Sequence, residues 1–328
     1  MAGHGQKDWC CPNLSGNVTQ ESFGFNPWFC LVRVVFPENE ETKQYMAMKV
    51  LELVRQFASF VTVTDIICLA GLTLFGRWLL KTSLGRRALT DSVPRRNNMP
   101  IYVPFIPLFI WFSAVSLAVL IVGKLADDLG DWQSAFLNNV ILCIVAVVTV
   151  AVTLVLARVS FARGLTGFGL NAKTIVKDFI AAFGNLLSIW PLLLLMILLT
   201  TFFGKLLWGQ QYQIQQHEEL QQMTAHPQLS LRVMIIIVAV VVAPVLEEMI
   251  FRGLFQTMIR SFLARPWLSI LISSGIFATI HQDPAHWPAL FVLALCLGYA
   301  YEKSGSLLRP IFIHSLFNAI TIAAVLAE

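Results

Sequence analysis

The apolar residues of this chain fall in long uninterrupted runs, and no other feature restricts its fold as much. A run of 18 or more apolar residues is long enough to cross the hydrocarbon layer as a helix. Backbone N–H and C=O groups find no water there, so each run must satisfy its hydrogen bonds internally, which a helix does. The alternating pattern of a membrane β-barrel is absent. The sequence therefore reads as all-α, a multi-pass transmembrane helical bundle of about eight spans, near 57–80, 101–123, 137–157, 184–204, 232–260, 268–281, 288–302 and 309–327. Composition agrees: 13% of the residues are charged, against about a quarter in a soluble domain.

Charge orients the bundle. One connection carries Arg77, Lys81, Arg86, Arg87, Arg95 and Arg96; a second carries Arg158, Arg163, Lys173 and Lys177. The turns near Arg260/Arg265 and Lys303/Arg309 are basic too, whereas Asp127, Asp128 and Asp131 and then Glu218 and Glu219 mark the intervening connections. With eight spans, every basic connection falls on one face, which the positive-inside rule makes cytoplasmic. The net charge of +4 is thus a topology signal, the partners expected are membrane lipids, and no nucleic-acid partner is implied. The chain divides into an N-terminal non-spanning region (1–56), N-terminal transmembrane helices (57–160) and a C-terminal core (161–328). The segment Arg163–Asp178 reads as an amphipathic helix in the interface. The first 27 residues are polar and show no signal-peptide pattern. Within residues 1–56 the stretch Trp28–Phe36 is too short to span, and Cys10, Cys11 and Cys30, with His4 nearby, match no metal-ligand spacing.

Ionisable groups inside spans are costly and mark functional sites by default. The fifth span holds two adjacent carboxylates, Glu247 and Glu248, and Arg252 follows Glu248 by one helical turn, so that these two can pair. The sixth ends Phe277-Ala-Thr-Ile-His281, and the eighth opens with His314 and Asn318 on one helix face. Glu247 lies 18 residues before Arg265 and His281 lies 16 after it, so a hairpin turning there brings both to similar depth, about 24–27 Å along each arm. A glutamate with a histidine can activate water as general base, and an amide with a second histidine can donate to the oxyanion of a tetrahedral intermediate. The same residue types leave a zinc alternative open, with Glu247, His281 and His314 as ligands, although the zinc-protease pattern H-E-x-x-H is absent. Ser274 and Ser315 have no attached base.

Taken together, Glu247-Glu248-x-x-x-Arg252, Phe277-x-x-x-His281 and His314-x-x-x-Asn318 resemble the CPBP family, the CAAX-protease and bacteriocin-processing (Abi) intramembrane proteases related to the type II CAAX prenyl endopeptidase. The stretch Leu-Gly-Tyr-Ala-Tyr-Glu-Lys-Ser-Gly-Ser-Leu before His314 fits as well. The resemblance covers roughly residues 160–328. It implies an intramembrane endopeptidase site reached from the cytoplasm, acting on a peptide or prenylated protein. It implies Glu247 as catalytic base, His281 as its partner on the water, His314 and Asn318 as oxyanion donors, and Glu248 and Arg252 as supporting residues. Two other readings use the same residues: a non-catalytic scaffold or bacteriocin-immunity protein, and a transporter relaying ions through Glu247, His281 and Asp65 of the first span.

Overall fold

A computed structural model of the protein describes residues 62–125, 129–215, 218–281 and 283–327, with six helical residues (44, 47–49, 51 and 52) before them. Cys10, Cys11, Cys30, His4, the Trp28–Phe36 stretch, Asp127 and Asp128 lie outside the described residues. From Val63 onward the chain forms one compact unit, and among the described residues its only β-pairing is an isolated bridge between Asn97 and Phe161.

Helices α1 (Val63–Lys81), α2 (Phe105–Leu125) and α3 (Asp131–Ser160) come first. A five-residue α4 (Gly164–Phe168) leads into α5 (Ile175–Trp208) and a short α6 (Glu218–Ala225). A composite helix α7 (Leu229–Leu263) follows, then α8 (Pro266–Thr279), α9 (Trp287–Ser304) and α10 (Leu308–Ala327). Seven of these helical runs are long and apolar enough to cross a membrane. The sixth expected span is the exception: α8 has 14 residues, a rise of about 21 Å against a hydrocarbon layer of about 30 Å. Its ends explain the shortness, since Pro266 starts it and the chain turns at His281 toward Pro284.

The interfacial helix expected over Arg163–Asp178 is divided instead. Gly169 adopts φ +106°, and its own Cβ position would fall 2.7 Å from the Leu307 backbone nitrogen, so α4 ends there. The Asn171 side chain then accepts the Lys173 N–H, helix restarts, and Lys177 and Asp178 become part of α5. Asp178 is buried and takes two hydrogen bonds from Arg309, at 2.8 and 3.0 Å, which locks α5 to the start of α10.

The four basic connections meet at one end of the bundle. Asn98 N–H donates to Ser160 O, Ala162 N–H to Arg96 O, and Leu307 N–H to Gly169 O. Arg95 donates to Tyr301 O at 3.0 Å and lies 3.5 Å over the Tyr301 ring. Trp267 donates to Gly85 O. Residues that share a sign of charge are thus gathered by backbone bonds, with Glu302 holding Arg260 at 3.0 Å among them.

Close packing of α1 on α5 depends on one glycine. Pro191 has no N–H to give the Leu187 carbonyl, and at that notch a Cβ on Gly71 would stand 2.3 Å from Leu187 O and 2.8 Å from Pro191 Cδ. Gly71→Val is therefore expected to destabilise by about 1–3 kcal/mol, whereas Gly76→Ala, which has nothing within 4 Å, leaves the protein as stable or slightly more so. Thermal unfolding of the two variants in one detergent checks the pair; equal midpoints would mean that the helices do not meet there.

Candidate active site

Helix α7 is not uniformly wound. Val238–Val242 and Met249–Gln256 are π turns, and Ala243–Glu248 between them is α-helical. Pro244, in the first turn of that α segment, cannot donate to the residues before it, which favours wider winding upstream. π turns inside α-helices occur often at functional sites, and here they bracket Glu247 and Glu248.

Polar residues of α7 at intervals of four face α9. Arg252 reaches Ala294 O at 3.5 Å, Gln256 donates to Gly298 O at 3.0 Å, and Arg260 bonds Glu302 at 3.0 Å, each 42 residues on. The constant offset means that α7 and α9 run parallel, both toward the basic end. Gly298 permits the approach, since a Cβ there would be 2.7 Å from Gln256 Oε1 and 2.9 Å from Ile270.

Glu248 is fully buried and committed. Its Oε1 accepts from Arg252 Nη1 at 2.7 Å and from His314 Nδ1 at 3.0 Å. The Arg252 guanidinium lies 4.3 Å from the centre of the Phe277 ring, so an ion pair and an aromatic face together offset its burial. Glu247 is different: its side chain keeps 27% of its exposure, and its Oε2 stands 3.9 Å from His314 Nε2. Adjacent helix residues diverge by about 100°, yet both carboxylates approach one ring, because the two nitrogens of an imidazole point to opposite sides.

The ring of Phe277 fills the middle of the site. It packs edge-on against His314 with centroids 5.8 Å apart, and it tilts against His281 at 5.0 Å. His281 lies just past α8, its Nδ1 2.8 Å from Phe277 O, and Trp287 Nε1 donates to the His281 carbonyl at 2.8 Å. A carbonyl only accepts, so His281 Nδ1 carries a proton, and in the neutral tautomer with that proton the lone pair is at Nε2. Asn318, one turn beyond His314, donates to Ala239 O at 2.7 Å.

The structure thus gathers Glu247, Glu248, Arg252 and His314 directly and joins His281 to them through Phe277. The histidine in direct contact with Glu247 is His314; His281, expected as the partner of Glu247 on a water, reaches the cluster through Phe277. The Asn318 amide, expected to point at substrate, meets the α7 backbone. Among the described residues, no three His, Cys, Asp or Glu side chains stand together as a metal-holding group, so the set Glu247, His281 and His314 is not assembled as zinc ligands. Asp65 lies in the first turn of α1, where a carboxylate is favoured by the helix dipole. Sequence reasoning missed the central place of Phe277, although its spacing one turn before His281 was visible. It also missed Gln256 and Arg260, whose period of four from Glu248 was legible, and Trp287, which no pattern marked.

Residues 229–320 match the family described as type II CAAX prenyl endopeptidase Rce1-like, and all six site residues fall within that stretch. An Escherichia coli protein named "Uncharacterized 24.3 kDa protein" is 35% identical over 78 residues, 23% of this chain and 36% of its own length. A Bacillus subtilis (strain 168) protein named "Putative membrane peptidase YdiL" is 31% identical over 93 residues, 27% of this chain and 36% of its own. The chain thus spans 36% of the length of each of these curated relatives. No solved structure matches it.

Proposed function

We propose, from the Rce1-like domain that occupies residues 229–320, that this chain is an intramembrane endopeptidase that hydrolyses a peptide bond with a glutamate-activated water. The observation that carries the reading is His314 set between a committed carboxylate and a less buried one. Glu248 is neutralised by Arg252 and holds His314 Nδ1; Glu247 meets the same ring only at Nε2, at 3.9 Å, and remains available as the base.

In this reading a water lies between Glu247 and His281. Its oxygen attacks the scissile carbonyl carbon while Glu247 takes its proton and His281 Nε2 accepts its other O–H. His314 donates its Nδ1–H to Glu248, so it donates to the developing oxyanion from Nε2 as an imidazolium, with a proton on both ring nitrogens. Collapse of the intermediate breaks the C–N bond, and Glu247 returns its proton to the leaving amine. Phe277 keeps the two imidazoles at fixed separation. The substrate is a membrane-associated peptide of the prenylated CAAX class, the class in the name of the matched family. Entry is from the basic, cytoplasmic end, since His314 lies six residues into α10 from that end, about 9 Å along the helix.

The test is cleavage of a fluorogenic prenylated peptide, and of the same peptide without its prenyl chain, by purified protein in detergent with and without a strong chelator. Cleavage of the prenylated peptide at equal rates in both conditions is expected. Loss with chelator would replace direct carboxylate activation by a metal. Failure of folded protein to cleave either peptide would favour the non-catalytic scaffold.

A further inference from the structure

Proline at position 244 leaves a defined gap in the hydrogen bonding of α7. In the π turn Val238–Val242 the bonds reach back five residues, and the Ala243 N–H accordingly bonds Val238 O. The next bond of that series would run from residue 244 to Ala239 O, and proline has no N–H to make it. The two residues next in line to satisfy the Ala239 carbonyl therefore both fail to do so, within an apolar span. Asn318 Nδ2 lies 2.7 Å from that oxygen.

We infer that Asn318 is a positioning residue: its amide supplies the hydrogen bond that Pro244 cannot, and so ties α10 to the π turn of α7. Glu247 and Glu248 follow Pro244 by three and four residues, and His314 precedes Asn318 by four. One bond thus fixes, from both sides, the placement of the carboxylates against the imidazole. A polar side chain bridging two membrane helices is common; what singles out this one is that it meets the carbonyl that the helix itself leaves unserved. The catalytic half of the inference rests on the peptidase reading, and the tether does not.

The experiment is a double-substitution cycle of Asn318→Leu and Pro244→Ala, with Asn318→Asp alongside, read as unfolding midpoint in detergent and as kcat and KM. In the otherwise unchanged protein, Asn318→Leu lowers the midpoint by several degrees. Asn318→Asp does the same at a pH where its carboxyl is ionised, despite the nearly identical shape, because a carboxylate cannot donate to the Ala239 oxygen. In the Pro244→Ala background residue 244 can donate to Ala239 O, and Asn318→Leu costs less than half that shift. The kcat loss, about 10²-fold for a misplaced site, is mostly recovered in the double variant with KM unchanged. Equal midpoint losses in the two backgrounds, or an Asn318→Asp protein of full stability at a pH where that carboxyl is ionised, would overturn the tether. A recovered midpoint with kcat still lost would overturn the positioning role and put Asn318 in contact with substrate. If Pro244→Ala does not fold, the Asn318→Asp comparison decides alone. If the unchanged protein cleaves nothing, the peptidase reading fails while the midpoints still decide the tether.

Discussion

Glu247→Gln leaves a folded protein whose cleavage rate falls by about 10²–10⁴-fold, the usual contribution of a general base. Folding survives because Glu247 has little to lose: its side chain is 27% exposed, and its one close approach is the 3.9 Å contact with His314. The amide keeps the size of the side chain and removes only its ability to take a proton. The measurement is kcat/KM on the prenylated peptide beside the unfolding midpoint of the same preparation. A folded Glu247→Gln protein that still cleaves at the original rate would exclude Glu247 as the base. Glu247→Asp keeps a carboxylate but withdraws it by one methylene, so it should recover only part of the rate.

Arg252→Met has the opposite profile, and it carries the largest stability effect expected of a single substitution here. Arg252 is wholly buried, 2.7 Å from Glu248 Oε1 and stacked over Phe277. Removing the cation leaves the Glu248 carboxylate in an apolar interior with His314 as its remaining close partner. Breaking a buried pair from one side costs about 3–5 kcal/mol. Replacing both partners relieves much of that cost, so Glu248→Gln with Arg252→Met should be more stable than Arg252→Met alone, yet inactive, because His314 Nδ1 has lost its carboxylate. Urea or thermal unfolding of the three proteins checks the order. If Arg252→Met unfolds within about 0.5 kcal/mol of the unchanged protein, the range typical of surface sites, the pair is not what holds α7 in place.

The contrast between these adjacent carboxylates shows where sequence reasoning stops. The apolar runs alone determined an all-helical membrane bundle, because hydrophobicity over some 20 residues is a local property and lipid admits few ways to satisfy a backbone. Loop charge placed the four basic connections on one face, and Arg95, Arg96, Arg260 and Lys303 do meet at one end. The residues that assemble, Glu248 with Arg252 above all, were legible from their spacing of four. That Glu248 is the carboxylate Arg252 can pair was legible in the same spacing; that His314 meets both carboxylates was not, because spacing assigns phase on a regular helix and α7 is regular only between its two π turns. The shortness of α8 was already visible, since the sixth expected span, 268–281, is also 14 residues long; what stayed hidden is that His281 lies past the helix end, where Trp287 Nε1 donates to its carbonyl. The parallel run of α7 beside α9, the Phe277 ring between two imidazoles, and the reach of Asn318 to Ala239 all depend on contacts between residues tens of positions apart. Such contacts are set by how helices tilt and how closely glycines such as Gly298 let them approach, which the three-dimensional packing alone decides.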